Sequence, residues 1–309
     1  MPIEFDNSRV DVGGLDDRRG GGGLGGFGGG GLAMGGGVGV VGLIIYLVYS
    51  VLGGSAGTGG TSGLQVPVNG GQVGSGASGE STEQLSQRCN SSGALQKYTD
   101  CRLIKVYNVA DTVWSQEFAR RNVPYQKPRI VFFNGGTQTG CGAASSSTGP
   151  FYCPADQELY FDLSFLQQLQ DQFGAQGQFA QAYIVAHEYG HHLQTLLGTE
   201  SKVRAAQERN PSLANRYSVA LELQADCYAG VWAKLADQSQ QNGINLTQQN
   251  IAEAQNAAAA VGDDRIQQET QGRVNPESFT HGTAQQRSDW FTTGYKSGDI
   301  NSCDTFKQG

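Results

Sequence analysis

The chain has 309 residues, of which 46 are glycine, and a formal net charge of −7. It has no cluster of lysine and arginine that could hold a nucleic-acid backbone, so nucleic acid is excluded as a partner. The glycine-rich first quarter cannot bury a core, which leaves about 225 residues for one globular domain.

A candidate membrane-spanning segment follows the glycine-rich start of the chain. No Asp, Glu, Lys or Arg occurs from Gly20 to Gly79, and the stretch from Val38 to Leu52 is almost continuously apolar. Extended back to Leu32, this stretch has 21 residues, enough for one helix to cross a bilayer. The alternative is a cleaved signal peptide, which has a shorter apolar region and a brief basic leader. Here acidic residues outnumber basic ones before the segment, and a retained anchor is favoured.

Charge and composition divide the chain into four parts. Arg18 and Arg19 are the last basic residues before the apolar segment, so the positive-inside rule places the N-terminus in the cytoplasm. The Gly/Ser-rich residues after the segment are typical of a flexible tether. We predict a disordered cytoplasmic leader over residues 1–31, a transmembrane anchor over 32–53, a linker over 54–80 and a domain outside the cytoplasm over 81–309.

Hydrophobic patterns predict an α+β domain, mainly helical, with a small β-sheet ahead of most helices. The run Arg129–Phe133 is rich in β-forming residues and ends at a glycine turn. A long helix is predicted from Gln176 to Leu197, where Gly198 would end it. The other predicted strands are Gly149–Tyr152 and Glu158–Phe161, and the other predicted helices are Ala110–Arg121, Leu163–Phe173, Pro211–Ser239 with Asn210 as its cap, and Thr247–Val261.

The six cysteines indicate an oxidising compartment. Two pairs are each separated by twelve positions, and no Cys-x-x-Cys pair exists that would make a second zinc site. The alternative is a set of buried free thiols in a reducing compartment. Six cysteines allow fifteen pairings, and our hypothesis is Cys89–Cys101, Cys141–Cys153 and Cys227–Cys303.

The most informative motif is His187-Glu188-Tyr189-Gly190-His191, the HExxH arrangement of a zinc hydrolase. Positions i and i+4 lie on one face of a helix, so both imidazoles can reach one metal ion while Glu188 faces a ligand on it. His192 is turned about 100° from His191 and should miss the metal. The alternative is a surface helix with unrelated histidines.

A catalytic zinc ion usually has three protein ligands and one water, so a third ligand is needed. Positions 194 and 197 are Gln and Leu, which excludes a third histidine directly after the motif. Glu222 lies in the predicted Pro211 helix and is the candidate, with Asp226 one turn later to accept a hydrogen bond from the far nitrogen of His187. The alternative is a solvated acidic face, which the apolar surroundings of these two residues disfavour.

This ligand set predicts hydrolysis of a carbonyl compound, with one zinc ion as cofactor and Glu188 as general base. The tetrahedral intermediate needs further hydrogen-bond donors. His281 is the first candidate for that catalytic role, although it could instead cap a helix or occupy the open zinc position and hold the site latent. Tyr183, Tyr189 and Tyr228 are the next candidates.

Four segments together resemble a bacterial family, the putative neutral zinc metallopeptidases with one N-terminal membrane anchor. They are Phe151–Gln157, Ala186–His192, Glu222–Cys227 and Thr280–Arg287. The resemblance covers residues 88–306 and implies a gluzincin-like, zincin-like peptidase domain in the periplasm or at the cell exterior, held to the inner membrane by a single pass. It implies His187, His191 and Glu222 as metal ligands and Glu188 as catalytic base, and it lends support to His281.

We therefore expect a membrane-anchored zinc endopeptidase that cleaves peptide or unfolded protein. An edge strand, at Gly142–Ser147 or Tyr160–Asp162, would pair with the substrate backbone. Two alternatives stay open: a non-catalytic envelope scaffold or chaperone that zinc stabilises, and an amidase acting on cell-wall peptide. A purely structural zinc site would need no base, so Glu188 separates the first alternative from an enzyme.

Overall fold

The computed structural model describes residues 2–19, 80–166, 177–239 and 243–307, which form a mixed helical and β domain. The helices are α1 (Thr82–Cys89), α2 (Ala94–Lys97), α3 (Thr99–Arg120), α4 (Gln178–Leu196), α5 (Thr199–Arg209), α6 (Ala214–Gln238), α7 (Gln248–Ala260), α8 (Asp263–Gln271) and α9 (Ala284–Ser297). The strands are β1 (Glu4–Phe5), β2 (Leu15–Asp17), β3 (Arg129–Phe133), β4 (Gly136–Thr139), β5 (Gly142–Ser145), β6 (Phe151–Cys153), β7 (Glu158–Asp162) and β8 (Ile244–Asn245).

The main sheet has four strands in the order β2-β3-β7-β6. Strands β2, β3 and β7 are parallel, and β6 is antiparallel to β7. Strand β3 is buried along most of its length, which explains its continuous run of Ile, Val and Phe. Strand β7 lies between β3 and β6, so Tyr160 of the predicted edge is paired on both sides, whereas Phe161 and Asp162 pair with β3 alone. Strand β5 pairs with β4 alone among the described strands.

Residues 2–19 pack onto the domain, although the sequence predicted a disordered leader there. Strand β1 pairs with β8, and β2 extends the main sheet beside β3. Asn90 bonds both the N–H and the carbonyl of Val10, and Asn108 does the same for Asp11. The segment is too short and polar to form a core by itself, and it is ordered because side chains distant in the sequence satisfy its backbone.

The described residues contain no helix with both the length and the apolar composition needed to cross a membrane. The predicted anchor, residues 32–53, lies outside the described residues. Its flanks meet on one face of the domain, because Asp100 contacts both Arg19, at 3.0 Å, and Arg88, at 2.8 Å, and Arg88 in turn contacts Glu80 at 2.7 Å. Since no helix of the described residues could span a membrane, the predicted single-pass anchor and the inner-membrane location with a periplasmic or exterior domain are corrected, and the described residues form an α+β fold that contains no transmembrane helix.

Helices α4, α6 and α9 carry the centre of the molecule, and α6 packs against both of the others. Between α6 and α9 the backbones are in contact, because a Cβ atom added at Gly230 would overlap the Phe291 carbonyl, and one added at Gly294 would overlap the Cys227 carbonyl. Phe179 of α4 stacks on Trp232 of α6 with their rings 6.0 Å apart. This close packing fixes the spacing of the side chains that project between the helices.

Several predicted helix boundaries change in the structure. The helix predicted at Ala110–Arg121 begins earlier, at Thr99. The prediction missed its first half because Arg102 and Lys105 are buried with polar partners and interrupt the amphipathic pattern. The helix predicted from Pro211 begins with a short 3₁₀ turn, and α6 follows from Ala214. Thr247 caps α7 as predicted, by accepting a hydrogen bond from the Asn250 N–H. Of the helix predicted at 163–173, residues 163–166 are helical and the rest lie outside the described residues.

Three disulfides connect the domain, and they join the pairs of our hypothesis. Cys89–Cys101 joins α1 to α3, and Cys141–Cys153 closes the β4–β5 hairpin onto β6. Cys227–Cys303 joins α6 to the turn after α9 across 76 positions of sequence.

Candidate metal centre

The two motif histidines lie on one face of α4, opposite a carboxylate from α6. His187 Nε2 lies 3.2 Å from Glu222 Oε2, and His191 Nε2 lies 3.6 Å from Glu222 Oε1. One ligand atom from each of these three residues lies within 4.8 Å of the other two. All three side chains are buried, so the group is a preformed cluster and not a chance encounter at the surface.

The spacing of the cluster fits a tetrahedral zinc ion. Ligands bound at about 2.0–2.1 Å in tetrahedral geometry lie about 3.3 Å apart, close to the separations of Glu222 from each histidine. His191 Nε2 is buried and has no hydrogen-bond partner, as a nitrogen intended for a metal would be. Two imidazoles and one carboxylate are also a donor set that zinc enzymes use.

The charge balance around the cluster is compatible with a bound divalent cation. Glu188, Glu222 and Asp226 bring three negative charges when ionised, and among the described residues the guanidinium of Arg287 contacts two of them, Glu222 and Asp226. With neutral histidines the excess would be two negative charges in a dry site, which either protons on the histidines or a divalent cation would neutralise. A Zn²⁺ ion supplies that charge.

The pKa directions of the histidines reflect this excess of negative charge. Burial by itself would lower the pKa of His187, but the Asp226 carboxylate and the hydrogen bond with Glu222 raise that pKa to about 10. Burial also works to lower the pKa of His191, and Glu222 overcomes it and raises the pKa. The His187 ring therefore holds a proton in the metal-free protein at neutral pH, and a metal ion would displace it.

The carboxylates respond in the opposite direction. Burial would raise the pKa of Glu222, yet the nearby His191 ring and the hydrogen bond with His187 hold that pKa well below its usual range. Burial likewise works against ionisation of Asp226, but Arg287 and His187 lower its pKa. Both groups are thus anions at neutral pH, as a metal ligand and its support must be.

Asp226 holds His187 in the tautomer that a metal requires. Its Oδ1 atom lies 2.9 Å from His187 Nδ1, and a carboxylate can only accept, so Nδ1 donates and Nε2 is directed at Glu222. Arg287 donates to both oxygens of Asp226, at 2.8 and 3.0 Å. Tyr183 also donates to Asp226, which gives this predicted candidate a place beside the site.

Gln194 holds His191 in the tautomer that a metal requires, as Asp226 does for His187. Its Oε1 atom lies 2.9 Å from His191 Nδ1, so the ring donates there and directs Nε2 at Glu222. Sequence reasoning used position 194 only to exclude a third histidine. The signal that could have identified Gln194 is its position three residues after His191, on the same face of α4.

Glu188 lies at the same site and is available for proton transfer. Its Oε2 atom is buried and without a hydrogen-bond partner. Burial raises its pKa, and the positive charges of His187 and His191 work to lower it. A carboxylate in this environment gains a partner when water or substrate enters.

His281 is held near Glu222 by Asp263, a residue that sequence reasoning missed. Asp263 Oδ2 accepts the N–H groups of Thr280, His281 and Gly282, at 2.7, 2.7 and 3.1 Å. Its Oδ1 atom lies 3.2 Å from His281 Nδ1, and His281 Nε2 is buried without a partner. The ring is therefore oriented by a carboxylate and has one free nitrogen. No spacing rule connects Asp263 to His281, because only the packing of α8 brings them together.

The remaining candidates lie away from the site. His192 contacts Tyr152 at 3.1 Å and the Gln126 carbonyl at 2.7 Å, and burial lowers its pKa to about 4, so it is a neutral packing residue. Tyr189 bonds to Tyr125, and Tyr228 packs edge-on against Trp114 with their rings 6.2 Å apart. Neither tyrosine is available to an oxyanion at the His187–His191–Glu222 cluster.

Comparison with known proteins agrees with this geometry. The chain is 53% identical over 197 residues to Uncharacterized protein YpfJ of Escherichia coli K12, which covers 63% of this chain and 67% of YpfJ. It is 48% identical over 229 residues to Uncharacterized protein Rv2575 of Mycobacterium tuberculosis H37Rv, which covers 72% of this chain and 75% of Rv2575. No solved structure matches the chain. Residues 6–306 match the family described as "Putative neutral zinc metallopeptidase", and the chain therefore belongs to that family.

Proposed function

We propose that this protein is a zinc-dependent endopeptidase that cleaves peptide bonds in peptides or unfolded protein. The observation that carries the proposal is the buried cluster of His187, His191 and Glu222 with an unpartnered carboxylate oxygen of Glu188 at the same site. A zinc ion that only stabilised the fold would need no such carboxylate. Membership of a zinc metallopeptidase family supports the same reaction class.

In this proposal His187, His191 and Glu222 would hold the zinc ion. When bound, zinc would supply Lewis-acid chemistry, lowering the pKa of a water to near 7 and polarising the substrate carbonyl. Asp226 and Gln194 keep both histidines in the tautomer that leaves Nε2 free for the metal. These residues create the site before substrate arrives, so little reorganisation is needed during the reaction.

Glu188 acts as the general base. Its free Oε2 atom accepts a proton from the attacking water and then delivers that proton to the leaving amine. Burial favours this exchange, because a buried carboxyl group holds a proton more readily than an exposed one.

His281 is the proposed donor to the oxyanion. Asp263 orients the ring through Nδ1, and Nε2 is buried without a partner. A protonated ring donates from Nε2, and the Asp263 carboxylate neutralises its charge. Strand β5, which is exposed and paired on one side by β4, is the proposed strand that pairs with the substrate backbone.

The decisive experiment compares the full chain with its Glu188→Gln variant on an unfolded protein such as reduced casein. We expect activity to fall by about 10²–10⁴-fold, the usual contribution of a general base, with zinc content unchanged. Glu208→Gln, an exposed change on α5, is the matched control and should cleave like the parent. Equal cleavage by the parent and Glu188→Gln would refute the mechanism.

A further inference from the structure

A chain of buried hydrogen bonds links α9 to His187. Arg287, on the first turn of α9, donates to both oxygens of Asp226 at 2.8 and 3.0 Å. Asp226 then accepts from His187 Nδ1 at 2.9 Å. Each of these groups is almost fully buried, so the bonds are not exchanged for water.

A second chain links the turn after α9 to His191. The Cys303 carbonyl accepts from Gln224 Nε2 at 3.0 Å, and Gln224 Oε1 accepts from Gln194 Nε2 at 3.2 Å. Gln194 Oε1 then accepts from His191 Nδ1 at 2.9 Å. Every amide in this chain has a consistent orientation, since each oxygen accepts and each nitrogen donates.

The segment from Ala284 to Cys303, which we call the C-terminal clamp, is itself held in register on α6. The two glycine contacts between α6 and α9 leave no room for sliding, because a Cβ at Gly230 or Gly294 would overlap a carbonyl of the other helix. The disulfide Cys227–Cys303 fixes the end of the clamp to the residue next to Asp226. The clamp thus has a rigid position from which to reach both histidines.

We propose that the C-terminal clamp is the positioning element of the metal centre, with Arg287 acting on His187 through Asp226 and Gln224 acting on His191 through Gln194. Arg287 and Gln224 are positioning residues, since both act through another side chain. The inference rests on the proposed metal site and does not depend on peptidase activity. It goes beyond the ligands themselves, because it makes metal affinity depend on a segment that begins more than 90 residues after either histidine in sequence.

The expected effect of breaking either chain is a loss of metal affinity. Hydrogen-bond partners of metal-bound histidines typically contribute about 10–100-fold to affinity. Because the two chains end on different histidines and share no side chain, their effects should multiply when both are broken. A change that only loosened the fold would lower the melting temperature without this separate action on each histidine.

The test uses the full chain and measures zinc affinity by competition with a chromogenic chelator. Arg287→Lys keeps the charge but loses the two-pronged contact, and Gln224→Met keeps the volume but loses both hydrogen bonds. Each should weaken zinc binding by about 10–100-fold, and the double variant by roughly the product. Thr292→Ala is the matched control on α9, because that hydroxyl bonds to Gln255 and not to the site, and its affinity should equal that of the parent.

Cobalt substitution adds a readout that reports geometry directly. The visible absorption of bound Co²⁺ depends on the positions of its ligands, so it should shift in Arg287→Lys and Gln224→Met and stay unchanged in Thr292→Ala. Paired serine variants test the disulfide: replacing Cys227 and Cys303 should weaken zinc binding, whereas replacing Cys141 and Cys153 should not.

This design distinguishes failure of the proposed clamp from failure of the proposed metal site. If the parent binds zinc but both single variants bind it equally well, the clamp has no positioning role and the inference is overturned while the metal site stands. An equal loss of affinity in Thr292→Ala would also overturn it, since general loosening of α9 would then explain the result. Failure of the parent to bind zinc or cobalt would overturn the proposed metal site first.

Discussion

Two regions of this molecule bury charged groups, and they do so in different ways. Where residues 2–19 meet the domain, carboxylates and cations are matched in contact: Asp100 contacts Arg19 and Arg88, and Asp6 contacts Lys105 at 3.1 Å. In the metal centre three carboxylates face one guanidinium and two titratable histidines, and the buried Glu188 Oε2 has no hydrogen-bond partner. Carboxylates matched by arginine and lysine indicate a structural contact, whereas carboxylates matched by histidines that can exchange their protons for a metal indicate a site for a cation.

The largest expected effect is a loss of folding stability on substitution of Asp100, which belongs to the contact between residues 2–19 and the domain. Replacing it with asparagine leaves Arg19 and Arg88 without their shared carboxylate in a buried position. Breaking a buried pair in this way typically costs about 3–5 kcal/mol of stability. Chemical denaturation of the metal-free protein should show this loss, and zinc affinity should not change.

Asp289→Asn is the matched control, because that carboxylate is exposed. It should change stability by no more than about 0.5 kcal/mol. If Asp100→Asn were as stable as the parent, the contact between residues 2–19 and the domain would not depend on these charges.

Removing a proposed ligand should have the second-largest effect, and it should appear first in zinc affinity. Glu222→Ala should weaken zinc binding by more than about 100-fold, since a direct ligand contributes more than its hydrogen-bond partners do. The metal-free variant should also be less stable than the metal-free parent, because His187 and His191 lose the carboxylate that faces them in a buried site. Zinc affinity that survives Glu222→Ala would remove Glu222 from the ligand set.

The dependence on pH should sharpen the comparison further. The pKa of His187 in the metal-free protein is about 10, above its ordinary 6.5, so its protonated form is favoured by folding. This contribution to stability is fully present below pH 6.5 and is lost as the pH rises towards 10. Zinc must displace that proton, so affinity should rise by about tenfold per pH unit for each proton released.

Calorimetry at pH 7 in buffers of different ionisation enthalpy measures the protons released on binding. At least one proton should leave per zinc ion in the parent protein. Zinc binding without proton release would contradict the excess of negative charge assigned to the metal centre.

Short-range sequence patterns predicted those helices and strands whose side chains are either uniformly buried or part of a local cap. Strand β3 is buried on both faces and reads as a continuous apolar run, and the Thr247 cap of α7 is visible in the sequence. The histidine spacing in α4 and the acidic spacing in α6 predicted side chains that the structure brings to one site. These features were accessible because helix and strand periods alone decide which residues share a face.

Other features had no local signal. The order in residues 2–19 comes from Asn90 and Asn108, which are about 80 to 100 positions away along the chain. The predicted anchor rested on the composition of residues 20–79 alone, and the described residues contain no helix that could span a membrane. Asp263 was missed because its contact with His281 depends on how α8 packs.

The sequence by itself determined the chemistry of this protein: two histidines one turn apart, a carboxylate between them, a second acidic pair on a later helix and the family to which they belong. Only the tertiary structure decided how those groups are charged and oriented. Arg287, Gln224 and Asp263 act through contacts between elements, and such contacts follow from the packing of whole elements and not from the spacing of residues within one.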